Sequence, residues 1–235
     1  MKLHKLITIA DTPYPLVDEV VNLTLFTPGR AVFTVQSHEP VTGMVIFSTG
    51  YHPKKIKPWF TGFVESATQV DAKQQRLFCR ELSAVLFYRL PLALRDVTLR
   101  QTLVAISQIT GLQFVLPQQA KPYTSLQAPV FYNTANGYHA MDSLAAVFAI
   151  KNLIWQQQPD GKVWVGSWYD APLASRPVEI RRNWETQTTA ANGATVPVLP
   201  TLRPGVFYNH KVLTSVELSG VHMKLTWESN PWINR

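Results

Sequence analysis

The chain has 235 residues, of which 46% are hydrophobic and 16% charged, and a formal net charge of +7. That length and apolar share exclude a disordered chain and leave room for one large or two small domains. Its one cysteine, Cys79, excludes an intrachain disulfide and an all-cysteine zinc site, and no window approaches the ~20 apolar residues of a membrane-spanning helix.

The positive charge is spread out. Its densest patches, Lys54-Lys55-Ile56-Lys57 and Arg181-Arg182, fall short of the runs of about five to eight basic residues in a nucleic-acid tract. A generally basic surface is the expectation. Lys2 and Lys5 give a basic start, but the apolar stretch 6–10 is too short for a secretory signal. The chain reads as a soluble protein compatible with a reducing compartment.

In chain order, strands come first. Val32-Phe33-Thr34-Val35 is β-branched and aromatic, and residues 41–48 are apolar on both alternating faces, as in a buried or contact strand. Residues 50–58 form a loop carrying Tyr51, Lys54, Lys55 and Lys57. Strands resume at 59–64 and 76–82, with prolines punctuating at Pro13, Pro15, Pro28, Pro40, Pro53 and Pro58.

From Pro91 the period changes. Thr98 with Gln101 is a capping-box pattern, and Leu99, Leu103, Ile106 and Ile109 fall on one helical face. Gly111 supplies a left-handed stop, and 112–116 is a strand ended by Pro117. After a polar linker, 118–136, the same unit recurs. Leu144, Val147 and Ile150 match Leu103, Ile106 and Ile109, and Asn152 stands where Gly111 stood. The second helix buries Met141, Leu144, Ala145 and Phe148. Strand 153–157, the turn Pro159-Asp160-Gly161 and strand 162–169 close a hairpin. A low-charge connection, 193–204, then leads to strands at 206–210, 212–218 and 221–228. In the last of these, Val221, Met223, Leu225 and Trp227 alternate with polar residues.

Reaction chemistry is missing from this pattern. His4, His38, His52, His139, His210 and His222 are scattered, without metal-ligand spacing. Cys79 lies in a strand and reads as a packed thiol. Asp96 and Asp142 read as helix-start carboxylates facing the macrodipole. Trp155, Trp164 and Trp168 gather about one hairpin, where packing around Gly166 competes with a stacking platform for sugars or bases. No residue is assigned to catalysis, to a cofactor or to a metal, and the chain is read as a non-enzyme.

Several stretches together resemble the phage tail hub proteins, the late-control-D and contractile-tail hub family. Phe60-Thr61-Gly62-Phe63-Val64-Glu65 is similar to a strand of that family's first barrel. Arg80-Glu81-Leu82-Ser83 with Val85-Leu86 resembles its passage into the middle domain, and 99–114 its helix ending in Thr-Gly-Leu. Pro159-Asp160-Gly161-Lys162-Val163-Trp164-Val165-Gly166 resembles its hairpin. Leu199-Pro200-Thr201-Leu202-Arg203-Pro204-Gly205 with 212–227 resembles its late barrel segment.

The resemblance implies an α+β, mostly β fold. Two tail-tube-like β-barrels, 1–90 and 171–235, would flank an inserted α+β domain, 91–170, that holds the duplicated helix-strand unit. It implies a baseplate or tail-tip hub in the virion, a homotrimer whose barrels make a pseudo-sixfold ring between a hexameric tail tube and a trimeric spike or tip. DNA would pass through its lumen without specific binding. Tyr51, Lys54, Lys55 and Lys57 are expected to reach a neighbouring subunit. Residues 94–116 also resemble secretin N-terminal domains, which leaves a secretion-system ring component open beside a tryptophan-based carbohydrate or nucleic-acid module and an unrecognised hydrolase.

Overall fold

The computed structural model describes residues 2–175, 177–180, 185, 187–190 and 192–233. It divides into two compact units, residues 1–82 with 176–235 and residues 83–175. Arg181 and Arg182 lie outside the described residues.

The first unit opens with β1 (His4–Ile9), β2 (Thr12–Tyr14), β3 (Leu16–Thr24), β4 (Arg30–Gln36), β5 (Met44–Gly50), β6 (Lys57–Asp71) and β7 (Gln74–Glu81). Ala10 and Asp11 both take left-handed φ, 46° and 63°. They make the two-residue turn whose twist suits a hairpin between β1 and β2. Burial alternates along β7: Gln75, Leu77, Cys79 and Glu81 point inward while Arg76 and Arg80 face solvent. The core holds Phe33, its ring 5.3 Å from Phe47 and 5.9 Å from Phe60. Residues 41–48 differ from expectation. The strand starts at Met44, and Met44 is 53% exposed while Val45 and Phe47 are fully buried. Its second apolar face is therefore not a buried one.

Gly62 has a steric reason. A Cβ there would stand 2.0 Å from the Arg80 carbonyl oxygen of the paired strand β7, so no larger residue fits the approach without moving backbone.

The second unit runs β8 (Leu92–Thr98), α1 (Leu99–Thr110), β9 (Phe114–Val115), α2 (Pro122–Ser125), β10 (Gln127–Asn133), α3 (Gly137–Val147), β11 (Leu153–Gln157) and β12 (Val163–Ser167). The Thr98–Gln101 capping box is formed, and Gly111 closes α1 at φ 75° with its N–H on the Ser107 carbonyl at 2.8 Å. β8 and β10 pair antiparallel; β12 lies between β11 and β9. Phe131 stacks on Phe148 at 6.4 Å in the core.

Four expectations change in this unit. The linker 118–136 contains α2 and β10; its strand is hidden by Pro129, which faces Asp96 in a pairing that skips both residues because proline has no N–H to give. Asp96 lies within β8 at a left-handed φ of 50°, not at a helix start. Ile109 is 57% exposed, since ten residues at 3.6 per turn carry it about 80° from the direction of Leu99. α3 ends at Val147 with Phe148 as its cap, and the chain then turns through left-handed Ala149 (φ 53°) and Asn152 (φ 49°).

The chain returns to the first unit with β13 (Gln187–Ala190), β14 (Gly193–Pro197), β15 (Phe207–Tyr208), β16 (Lys211–Ser219) and β17 (His222–Glu228). The stretch read as a connection thus begins as a strand. β16 pairs antiparallel with β3, from Ser215↔Thr24 to Ser219↔Val20. The two β-rich ends are consecutive stretches of one twelve-stranded sheet, ordered β13-β14-β17-β16-β3-β4-β7-β6-β5-β1-β2, with β15 on β16. The protein is mostly β with an α+β insertion, as the resemblance implied.

Candidate assembly surface

The loop between β5 and β6 is short and internally held. Lys54 N–H donates to His52 Nδ1 at 3.3 Å, capping a 3₁₀ turn at Pro53–Lys55. Tyr51, half-buried, donates its hydroxyl to the Val198 carbonyl at 2.7 Å, and burial raises its pKa. This bond ties the loop to the segment after β14. Lys54, Lys55 and Lys57 are exposed and form no ion pair among the described residues. Of the four expected contact residues, then, the tyrosine anchors the loop on its own chain and the lysines present charge outward.

Sequence reading missed the polar centre of this unit. Arg203 and Glu81 are each 5% exposed. Arg203 Nη2 lies 3.5 Å from Glu81 Oε1, and Arg203 Nη1 donates to the Trp59 carbonyl. The other carboxylate oxygen accepts the Gly29 N–H at 2.6 Å. Burial pushes the Glu81 carboxyl up, partly opposed by the Arg203 charge and the Gly29 hydrogen bond; burial likewise lowers the Arg203 guanidinium. A signal existed: Arg203 is the one charge in the stretch 193–204, and a lone charge in an apolar segment needs a partner if it is buried. Lys5 makes a second tie, pairing with Glu19 and donating to the Gly220 carbonyl at 2.6 Å. Both clusters join residues from the two ends of the chain.

In the inserted unit Trp155, Trp164 and Trp168 are 4%, 4% and 8% exposed. They present no open ring face for stacking. A Cβ on Gly166 would meet Trp164 at 2.8 Å and the Tyr123 hydroxyl at 2.9 Å, so the glycine gap is filled by packing. Asp142 is no helix-start carboxylate; it accepts the Trp155 indole N–H at 2.9 Å. Asp170 accepts the Tyr123 hydroxyl at 2.7 Å and pairs with Lys121 at 2.6 Å. Burial raises this carboxyl, but the hydrogen bonds from Lys121 and Tyr123 and the Lys121 charge outweigh it, so it titrates below its ordinary range.

Cys79 is fully buried, and burial pushes its thiol up to about 12. The thiolate, which is the nucleophile, is scarce at neutral pH. Among the described residues no three His, Cys, Asp or Glu side chains converge in a metal-holding group, and no helix is long and apolar enough to cross a membrane.

No family model matches the chain. It is 30% identical over 230 residues to an uncharacterised 58.7 kDa protein from the lys 3′ region of Haemophilus phage HP1. The match covers 97% of this chain and 42% of that protein, so the chain spans less than half the length of the curated relative it matches. Solved structures are similar over nearly the whole chain. The 43 kDa tail protein of prophage MuSo2 from Shewanella oneidensis superposes with a TM-score of 0.70 at 8% identity, covering 96% of this chain and 97% of its own. A tail protein from Neisseria meningitidis gives 0.63 at 13% identity, covering 99% and 98%. An E. coli component of the type VI secretion system, itself structurally similar to the T4 tail proteins gp27 and gp5, gives 0.59 at 10% identity, covering 99% and 78%. The fold is that of phage tail proteins.

Proposed function

We propose that a chain built on the tail-protein fold serves as a structural component of a phage tail, placed at the hub where the tube ends. Three copies form a ring. Each contributes two consecutive β stretches, so the ring offers six related surfaces to a hexameric tube on one side and threefold symmetry to a spike or tip on the other. Its lumen passes DNA without reading it. The carrying observation is the arrangement itself, one sheet shared by both chain ends with residues 83–175 inserted, which superposes on phage tail proteins over nearly the whole chain.

In this ring Lys54, Lys55 and Lys57 meet an acidic face of the neighbouring subunit, with Tyr51 holding the loop in place. Likeness to a type VI secretion component favours one second reading, a ring in a related secretion machine. Antibody labelling separates the two. On tails purified from the phage that encodes the chain, label should appear at one end of the tube. Label along the tube, or none on intact tails, overturns the hub.

A further inference from the structure

Among the described residues, one edge of the inserted unit's three-stranded sheet takes no further strand. β9 ends its sheet, pairing in parallel with β12 on one side alone. Val163 N–H donates to the Gln113 carbonyl at 2.8 Å; in that register the N–H and C=O of Val115 face β12, and those of Phe114 face outward. An edge of this kind is a template for one more strand.

Beside that edge lies a depression of about 260 Å³, lined by Arg100, Leu103, Val104, Ser107, Phe114 and Leu116. Its volume is below the ~300–1,000 Å³ of small-molecule sites and suits one or two apolar side chains. Val104 is 51% exposed at its rim. Arg100 is exposed there and has no acidic partner among the described residues. The edge itself carries no charge from Gln113 to Leu116, and Pro117 stops it.

We propose that this groove is a docking site for an extended segment of a partner protein, one that alternates apolar side chains with a carboxylate. The segment adds to β9 as a strand: its backbone bonds to the outward N–H and C=O of Phe114, an apolar side chain fills the depression over Leu103 and Val104, and its carboxylate meets Arg100. Backbone pairing supplies the affinity in this mode and the side-chain pocket the selectivity. Pro117 limits the match to a few residues, which makes the register specific. The site stands whether or not the chain forms a ring.

The test is to pan a random dodecapeptide library on the full chain and follow the selected peptides by amide hydrogen exchange. Enrichment should favour alternating apolar and acidic residues, and bound peptide should slow exchange at Phe114. Arg100→Glu, a surface change, should weaken binding about tenfold and turn the selection toward basic peptides. Val104→Asp should also weaken it while leaving the melting temperature unchanged. Selection without carboxylates, protection at sites other than β9, or affinity unmoved by Arg100→Glu overturns the proposal. So does displacement of the peptide by single-stranded DNA, or self-association of the protein that Arg100→Glu abolishes, since each assigns the groove a different occupant.

Discussion

Each unit contains an acid paired with a cation, and the two pairs sit in opposite surroundings. In the sheet unit Glu81 and Arg203 are almost wholly enclosed, with side chains 6% exposed on both sides. In the inserted unit the side chains of Asp170 and Lys121 are 16% and 30% exposed, and a tyrosine hydroxyl shares the carboxylate. Desolvation wins at Glu81 and raises its pKa; hydrogen bonding wins at Asp170 and lowers it. The pairing favours ionisation of the carboxyl in both places; enclosure outweighs it at Glu81 and not at Asp170. A deeply buried pair adds little net stability, yet losing either partner alone is costly. That suits a contact joining distant parts of the chain.

Removing one partner should separate the two most sharply. Arg203→Met leaves a buried carboxylate unpaired and should cost the sheet unit about 3–5 kcal/mol, read by urea unfolding with amide exchange to distinguish the units. Adding Glu81→Gln to that variant should recover part of the loss. An Arg203→Met loss below ~1 kcal/mol, the scale of a solvated pair, would contradict enclosure of the ion pair.

The tight glycines extend the comparison. Gly62 faces backbone at 2.0 Å, whereas Gly166 faces the tips of Trp164 and Tyr123. Gly62→Ala should destabilise by about 1–3 kcal/mol, the usual cost of overpacking, and Gly166→Ala by less because side chains can yield. The order of their urea midpoints checks this. Equal shifts would mean that the β6–β7 approach relaxes easily.

Smaller effects follow in the inserted unit. Tyr123→Phe should cost about 1–2 kcal/mol, because the hydroxyl both donates to Asp170 and accepts the buried Ser167 N–H. The pH dependences should have opposite signs. The Asp170 carboxyl has a lowered native pKa, so its stabilisation is full above the unfolded value, near 3.9, and fades as pH falls through the native value. The Glu81 carboxyl has a raised native pKa: its contribution is full below the unfolded value, near 4.3, and is lost as pH rises toward the native one. Unfolding of Asp170→Asn and Glu81→Gln across acid pH should flatten these two slopes separately. A slope at Glu81→Gln matching the wild type would contradict the second.

Local features were legible in the sequence where one or two residues decide them. The Thr98–Gln101 box and Gly111 marked both ends of α1, and alternation marked β17. Pairing over long separations leaves no such mark. Nothing near β3 or β16 announces their partnership, and β10 was concealed because Pro129 breaks the look of a strand while the β8–β10 register passes over it. Of the loop between β5 and β6, the residue types were readable. That Tyr51 turns to Val198 was not, since its acceptor is a backbone carbonyl more than a hundred residues away and any residue type carries one. The Glu81–Arg203 centre had half a signal, the isolated arginine, but which of fifteen acids meets it depends on the spliced sheet.

Replacing Lys54, Lys55 and Lys57 with glutamate should weaken association between copies without unfolding the chain, because these side chains are exposed and form no ion pair among the described residues. The most direct measurement is the mass of the native particle in solution, by native mass spectrometry across a range of protein concentrations. We expect a species of three copies that the lysine reversals dissociate. A single copy at every concentration, or a closed even-numbered assembly, would contradict the threefold ring.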